Sequence, residues 1–228
     1  MQDIFDWDVQ TWGNSLKIWS PAVENKHEMK CLEVGANKGG LSLWLAMHGH
    51  QVVCTDLEDP SERARPIHEE YQVGHLIEYR SLDILNPGDI GSFDVVIFKS
   101  ILGGIGREGQ EHLKEETIRS IFGLLKPGGY LLFAENQEGS FFHRLARRWL
   151  VKWGRSWSYL KPGEIQGLLH DFDSIEIQHT GFLSAFARGK LLRWVFGLKD
   201  KVFFNPLLPD RMKYVVFGSA QKPQQHTS

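Results

Sequence analysis

Chemistry concentrates first in the segment Glu33-Val34-Gly35-Ala36-Asn37-Lys38-Gly39-Gly40. A short apolar run ends there in glycine and a helix-like stretch follows. Glycines without a Cβ let backbone amides at a helix N-terminus close on a ligand. Asp56 stands 21 residues after Gly35, at the tip of the next apolar run. A carboxylate in that place can accept hydrogen bonds from a ribose diol, so the pair suits an adenosine-bearing ligand. A dinucleotide turn needs G-x-G-x-x-G to seat a pyrophosphate, and here Ala36-Asn37 occupies the place of the second glycine. A nicotinamide-dependent oxidoreductase therefore falls behind. Either feature alone is ordinary turn chemistry, and it is their order that carries weight.

Such residues need a scaffold, and the hydrophobic pattern supplies one. Residues 8–19 place Trp12, Leu16 and Trp19 at helical spacing, with Pro21 as the expected stop. Strands are expected at 30–35, 51–56, 76–82, 92–98 and 130–135, and helices from Leu41 to about Gly49 and over 110–125. The turn Lys126-Pro127-Gly128-Gly129 ends the second helix. Strands alternating with helices predict an α/β fold with a parallel sheet covered on both faces. Two late strands, 173–180 and 211–220, enclose an aromatic and basic insert at 186–209, a candidate lid. One domain over 1–220 is expected, with 1–28 a leading helical cap and 221–228 a disordered tail.

Glu33-x-Gly35-x-x-x-Gly39 resembles the E/D-x-G-x-x-x-G loop of class I S-adenosylmethionine-dependent methyltransferases. Asp56 matches that family's ribose-binding acid. Ser81-Leu82-Asp83-Ile84 is similar to the segment facing the adenine, Phe93-Asp94-Val95-Val96-Ile97-Phe98-Lys99-Ser100 to its fourth strand, and Leu124-Leu125-Lys126-Pro127-Gly128-Gly129 to the turn entering the fifth. The resemblance implies a Rossmann-like three-layer αβα sandwich, its seven-stranded sheet mostly parallel with an antiparallel last strand and an insert before it. It also implies S-adenosylmethionine as cofactor and S-adenosylhomocysteine as product. The implied cofactor residues are Glu33, Gly35, Ala36, Asn37, Gly39, Asp56, Leu57, Leu82, Asp83, Ile84, Lys99 and Ser100. Asn-Pro-Pro-Tyr is absent at the end of the fourth strand, which disfavours amino methylation of bases; Lys99-Ser100-Ile101-Leu102-Gly103-Gly104 there is loosely similar to bacterial glycan and natural-product methyltransferases.

Methyl transfer from a sulfonium needs mainly orientation and exclusion of water. A hydroxyl acceptor also needs a base, for which Glu135, His143 and His112 are the candidates. No metal site is expected, since Asp, Glu and His form no cluster at ligand spacing after the fourth strand.

Charge divides the chain. Residues 1–137 hold 12 Lys/Arg against 21 Asp/Glu, and residues 138–228 hold 14 against 7. The basic part interleaves Arg144, Arg147, Arg148, Lys152 and Arg155 with Leu145, Trp149, Leu150, Trp153 and Trp157 over 143–161, the pattern of an amphipathic helix. Arg188, Lys190, Arg193, Lys199 and Lys201 do the same over 186–209. Both segments are candidate peripheral membrane contacts, suited to a lipid-linked, glycan or small-molecule acceptor. Nucleic acid is the weaker partner, as no added RNA-binding module accompanies a pI of 6.6. Residues 1–8 carry three acids and no signal pattern, and no apolar run is long enough to span a bilayer, so a cytoplasmic location follows as the expectation. Cys31 and Cys54 sit in apolar runs and are expected to be reduced. A non-catalytic cofactor-binding scaffold or sensor at a membrane, and an RNA methyltransferase, stand as the alternatives.

Overall fold

In the computed structural model, residues 1–150, 156–187 and 189–224 are described, without the side chains of 148–150 and 190. Seven strands form one sheet: β1 Lys30–Val34, β2 Gln51–Asp56, β3 Ile77–Ser81, β4 Phe93–Lys99, β5 Leu125–Asn136, β6 Asp173–Thr180 and β7 Val215–Gln221. Their order is β3, β2, β1, β4, β5, β7, β6. The β3–β2, β2–β1, β1–β4 and β4–β5 pairs are parallel; β7 runs antiparallel to both β5 and β6. The fold is the expected mostly parallel seven-stranded sheet. The direction of the strand order reverses between β1 and β4, and the crevice outside the carboxyl ends at such a reversal is where open α/β sheets bind ligands.

Side-chain alternation builds two cores from the same strands. Cys31, Val52, Cys54, Val95, Ile97, Leu132, Ala134, Val215 and Phe217 face one layer, with Trp12, Trp19, Trp44 and Leu45 packed on them. Leu32, Val34, Val53, Val96, Phe98, Leu131, Phe133 and Val216 face the other, against Ile118, Ile121, Leu124, Ile165 and Leu169. The central strands are therefore apolar on both faces, which is why they are continuous hydrophobic runs. Cys31 and Cys54 are free and buried.

The helices are α1 Gln2–Phe5, α2 Val9–Trp12, α3 Leu16–Val23, α4 Gly40–Met47, α5 Ser61–Glu70, α6 Leu102–Ile105, α7 His112–Leu124, α8 Phe141–Leu150, α9 Glu164–Leu168, α10 Lys190–Lys199 and α11 Asn205–Leu207. The leading segment departs from expectation: it is three short helices, and Pro21 lies inside α3 instead of stopping it. The 126–129 turn is absorbed into β5, because Leu125 already pairs with Phe93 before the register shifts. The last strand starts at Val215, a short turn at Asp210–Met212 preceding it.

The tail expected from 221 onward is corrected in part. Gln221 ends β7, and Lys222 donates its ammonium to the carbonyls of Phe122 and Leu125, each at 2.7 Å. Residues 225–228 lie outside the described residues, as do Lys152, Trp153, Arg155 and Arg188 of the basic segments, and the side chains of Arg148, Trp149, Leu150 and Lys190 are likewise not described.

Candidate functional site

The loop from β1 to α4 is held by Glu33. Its carboxylate is buried and accepts hydrogen bonds from the amides of Leu41 (3.3 Å) and Ser42 (2.7 Å) and from the Ser42 hydroxyl (2.5 Å). These are the free donors of the first turn of α4, so the acid caps the helix from the strand beneath it. Burial outweighs these bonds and lifts the Glu33 carboxyl to about 7. Gly39 adopts a left-handed conformation (φ 70°), and a Cβ there would stand 2.6 Å from the His68 ring. Gly40 admits an even closer neighbour: a Cβ on it would overlap the backbone carbonyl of Ile4, so the absence of a side chain lets α1 lie directly on the loop.

Asp56 ends β2 and receives the amides of Asn37 (2.9 Å) and Leu57 (2.8 Å). Arg63 of α5 stands 3.6 Å from it. Each carboxylate oxygen keeps a free lone pair, so a diol could still bind. The Leu82 amide donates to the Asp56 carbonyl at 2.7 Å, which brings the Ser81-to-Ile84 segment beside it. Leu82 and Ile84 are buried in the core, whereas Asp83 accepts the Leu85 amide (3.0 Å) and the Asn86 side-chain amide (3.2 Å) in a local turn.

A cavity of 570 Å³ opens over this loop at the reversal between β1 and β4. Glu33, Gly35, Ala36, Asn37, Lys99 and Ser100 line it, and its opposite wall is residues 2–7, including Trp7. Asp56, Leu57, Leu82, Asp83, Ile84 and Gly39 are not in its wall; Asp56 reaches it through the Asn37 amide. Trp12 and Trp19 of the leading segment are fully buried and pack it on the sheet, while Trp7 with α1 forms the cavity wall. A polar groove of 380 Å³ on the β6 edge contains none of the expected site residues.

Lys99 is the residue that the site leaves incomplete. It sits at the end of β4, its ammonium 4.9 Å over the Trp12 ring, and it makes no hydrogen bond or ion pair among the described residues. Burial holds it below the ordinary lysine range, against the attraction of Glu33, Asp6 and Glu135. Its neighbour Ser100 has φ 60° and accepts a 2.5 Å hydrogen bond from the Asn136 amide.

The three expected bases lie elsewhere in the structure. Glu135 is fully buried and accepts the amides of Leu102 (2.7 Å) and Asn136 (2.8 Å), capping α6. His143 is buried between Phe186 and Tyr214, its Nε2 at 2.9 Å from the Phe182 carbonyl and its Nδ1 at 2.8 Å from the Ser140 hydroxyl; burial lowers it to about 4. His112 is exposed at the start of α7. None of the three lines the cavity, because strand alternation and helix direction, invisible in a run of letters, turn them away.

Burial lifts the Glu135 carboxyl from 4.5 to about 7. Within that window the folded chain holds a proton the unfolded chain has released, so Glu135 lowers stability as pH rises through it, and its effect is flat above. Urea unfolding of wild type and Glu135→Gln from acid to neutral pH tests this. The stability difference should change by on the order of 1 kcal/mol per pH unit inside the window, and parallel curves would contradict it.

Residues 32–131 match the family model described as a methyltransferase domain. A search of the curated proteins finds no match. Among solved structures, the chain resembles phosphoethanolamine N-methyltransferase 2 from Haemonchus contortus in complex with S-adenosyl-L-methionine, at 19% identity and TM-score 0.64, covering 93% of this chain and 53% of that one. The chain thus spans about half the length of that relative. It also resembles N-methyltransferase NodS from Bradyrhizobium japonicum with S-adenosyl-L-homocysteine (15% identity, TM-score 0.60, 93% of this chain and 87% of that one). The [4+2]-cyclase SpnF has the same fold at 16% identity and TM-score 0.60, with 90% and 78% covered.

Proposed function

On the premise that residues 32–131 are a methyltransferase domain on the class I fold, we propose that the protein transfers the methyl group of S-adenosylmethionine to a hydroxyl or carboxyl oxygen of a glycan, a lipid-linked intermediate or a small metabolite. The sulfonium supplies the methyl group by in-line displacement and leaves as the thioether of S-adenosylhomocysteine.

The single observation that carries this reading is Lys99. Its half-buried ammonium has no hydrogen-bonded anion among the described residues, and in the cavity wall it offers a partner to a carboxylate, either the cofactor's or the acceptor's. Gly35, Ala36 and Asn37 present backbone to the methionine end, and Asp56, through its free lone pairs, takes the ribose. Residues 2–7 close the cavity and exclude water, which keeps the sulfonium from hydrolysis. Glu33 holds the loop in place with three of its four lone pairs on α4, and Oε1 keeps one free beside the cavity it lines.

Asp56→Ala removes both ribose hydrogen bonds and the Asn37 anchor, so S-adenosylmethionine binding should weaken by about 1–3 kcal/mol in calorimetry. Unchanged affinity would remove Asp56 from the site. The activity is tested by S-adenosylhomocysteine release across hydroxylated and carboxylated acceptors. Because SpnF is a cyclase on this fold, release above background is the required result, and its absence across that panel counts against methyl transfer.

A further inference from the structure

Helix α10 and the π-helical turn Asp200–Phe204 that continues it turn a row of large apolar side chains into solvent. Leu191, Trp194, Leu198 and Val202 recur every three or four residues at 76%, 53%, 46% and 54% exposure, and Leu192, Phe203 and Leu207 widen the row. The inner face is committed to the body of the protein. Gly197 lies against the Gln10 side chain, and Asp200 is buried, accepting the amides of Phe182 (2.9 Å), Leu183 (2.8 Å) and Ser184 (3.0 Å). The outward row is therefore not a misplaced core face.

Its charge is of one sign. Between 182 and 209 the sequence holds five Lys/Arg, and its one acid, Asp200, is the buried one. A second copy docked through the same face would bring cation against cation, whereas an anionic lipid surface meets both the apolar row and the charges. No helix among the described residues is long and apolar enough to cross a membrane, so the contact would be interfacial.

Position points the same way. The insert leaves the carboxyl end of β6, and α8 follows the carboxyl end of β5, the end of the sheet where β1 and β4 open onto the cavity. On α8, Phe141 and Phe142 are also exposed, while His143 turns inward and stacks on Phe186 of the insert at 4.7 Å. Arg193 stands 5.8 Å from the ring of Trp7, a wall of the cavity.

We propose that α10 with Val202, Phe203, Leu207 and the Phe141-Phe142 edge forms a docking surface for an anionic lipid bilayer, beside the cavity mouth. Docking stands independently of the chemistry; that the bilayer then delivers a lipid-linked acceptor rests on the proposed methyl transfer.

Sedimentation with phosphatidylcholine vesicles, with and without phosphatidylglycerol, tests the docking without any cofactor. Wild type should bind the anionic vesicles and be released by salt. Leu191→Ser/Trp194→Ser should lower the partition coefficient by about tenfold or more. Lys199→Gln and Lys201→Gln should each lower it by about fivefold. All these side chains are exposed, so the melting transition should stay put; Leu207→Ser, on a separate segment, repeats the test should the double variant fail to fold. Absence of vesicle binding by wild type, equal binding to neutral vesicles that survives salt, or a concentration-dependent dimer broken by the double variant would each overturn the proposal. Calorimetry with S-adenosylmethionine on the same variants should be unaltered, which separates failure of docking from failure of the methyl-transfer reading.

Discussion

Glu33→Ala is expected to lose about 3 kcal/mol or more of folding stability, because it strands three donors in the core, and S-adenosylmethionine binding with it. Each buried donor left without an acceptor costs about 1–3 kcal/mol, and the cavity left by the side chain adds to that. Glu33→Gln keeps the volume and one acceptor oxygen, so its loss should be smaller. Urea unfolding together with cofactor calorimetry checks both variants. An unchanged midpoint for Glu33→Ala would mean that α4 is not anchored by this carboxylate. Cofactor binding retained by the folded variant would mean that the loop keeps its shape without it.

Gly40→Ala is the second change with a large expected effect. The new methyl group meets the backbone carbonyl of Ile4, which cannot rotate away as a side chain would, so α1 must lift from the loop. Overpacking of this kind costs about 1–3 kcal/mol. Residues 2–7 are one wall of the cavity, so the lifted cap should also weaken S-adenosylmethionine binding by about tenfold, chiefly through faster dissociation. Thermal unfolding and stopped-flow release of the cofactor measure the two effects. Unchanged values in both would show that the loop and α1 are not in the contact described.

The central sheet was legible because its strands are apolar on both faces and stand between glycine-bearing turns. Residues 51–56 match β2 in both bounds, and residues 173–180 match the mostly exposed edge strand β6 as well. Helix α5 gave no comparable signal: it is rich in charge, holds Pro66 in its interior, and buries only Ala64 and His68. The leading segment looked like one helix since Trp12, Leu16 and Trp19 keep helical spacing, but a short 3₁₀ turn at Gly13–Ser15 divides it. Local spacing does not report such a break.

In the site, the glycine loop and the acid after β2 were readable as a constellation. The fate of each carboxylate was not. Glu33 looked like a ligand contact; it lines the cavity, and it also holds the first turn of α4, which no run of letters announces. Glu135 looked like a base for a hydroxyl acceptor, and its carboxylate caps α6. The cavity's other wall comes from residues 2–7, about thirty residues before the loop, through a contact that depends on the missing Cβ of Gly40. Exposure on α10 was foreshadowed by composition alone; the sequence held the basic and apolar residues, but only the packing of Gly197 and Asp200 tells which side of the helix faces out.

The most direct test of the account is a calorimetric titration of the folded chain with S-adenosylmethionine, repeated for Lys99→Met and in the presence of NADP. The account predicts one saturable site per chain, weakened in Lys99→Met and unaffected by NADP. No heat from folded protein, or displacement by NADP at lower concentration than S-adenosylmethionine itself requires, would contradict it.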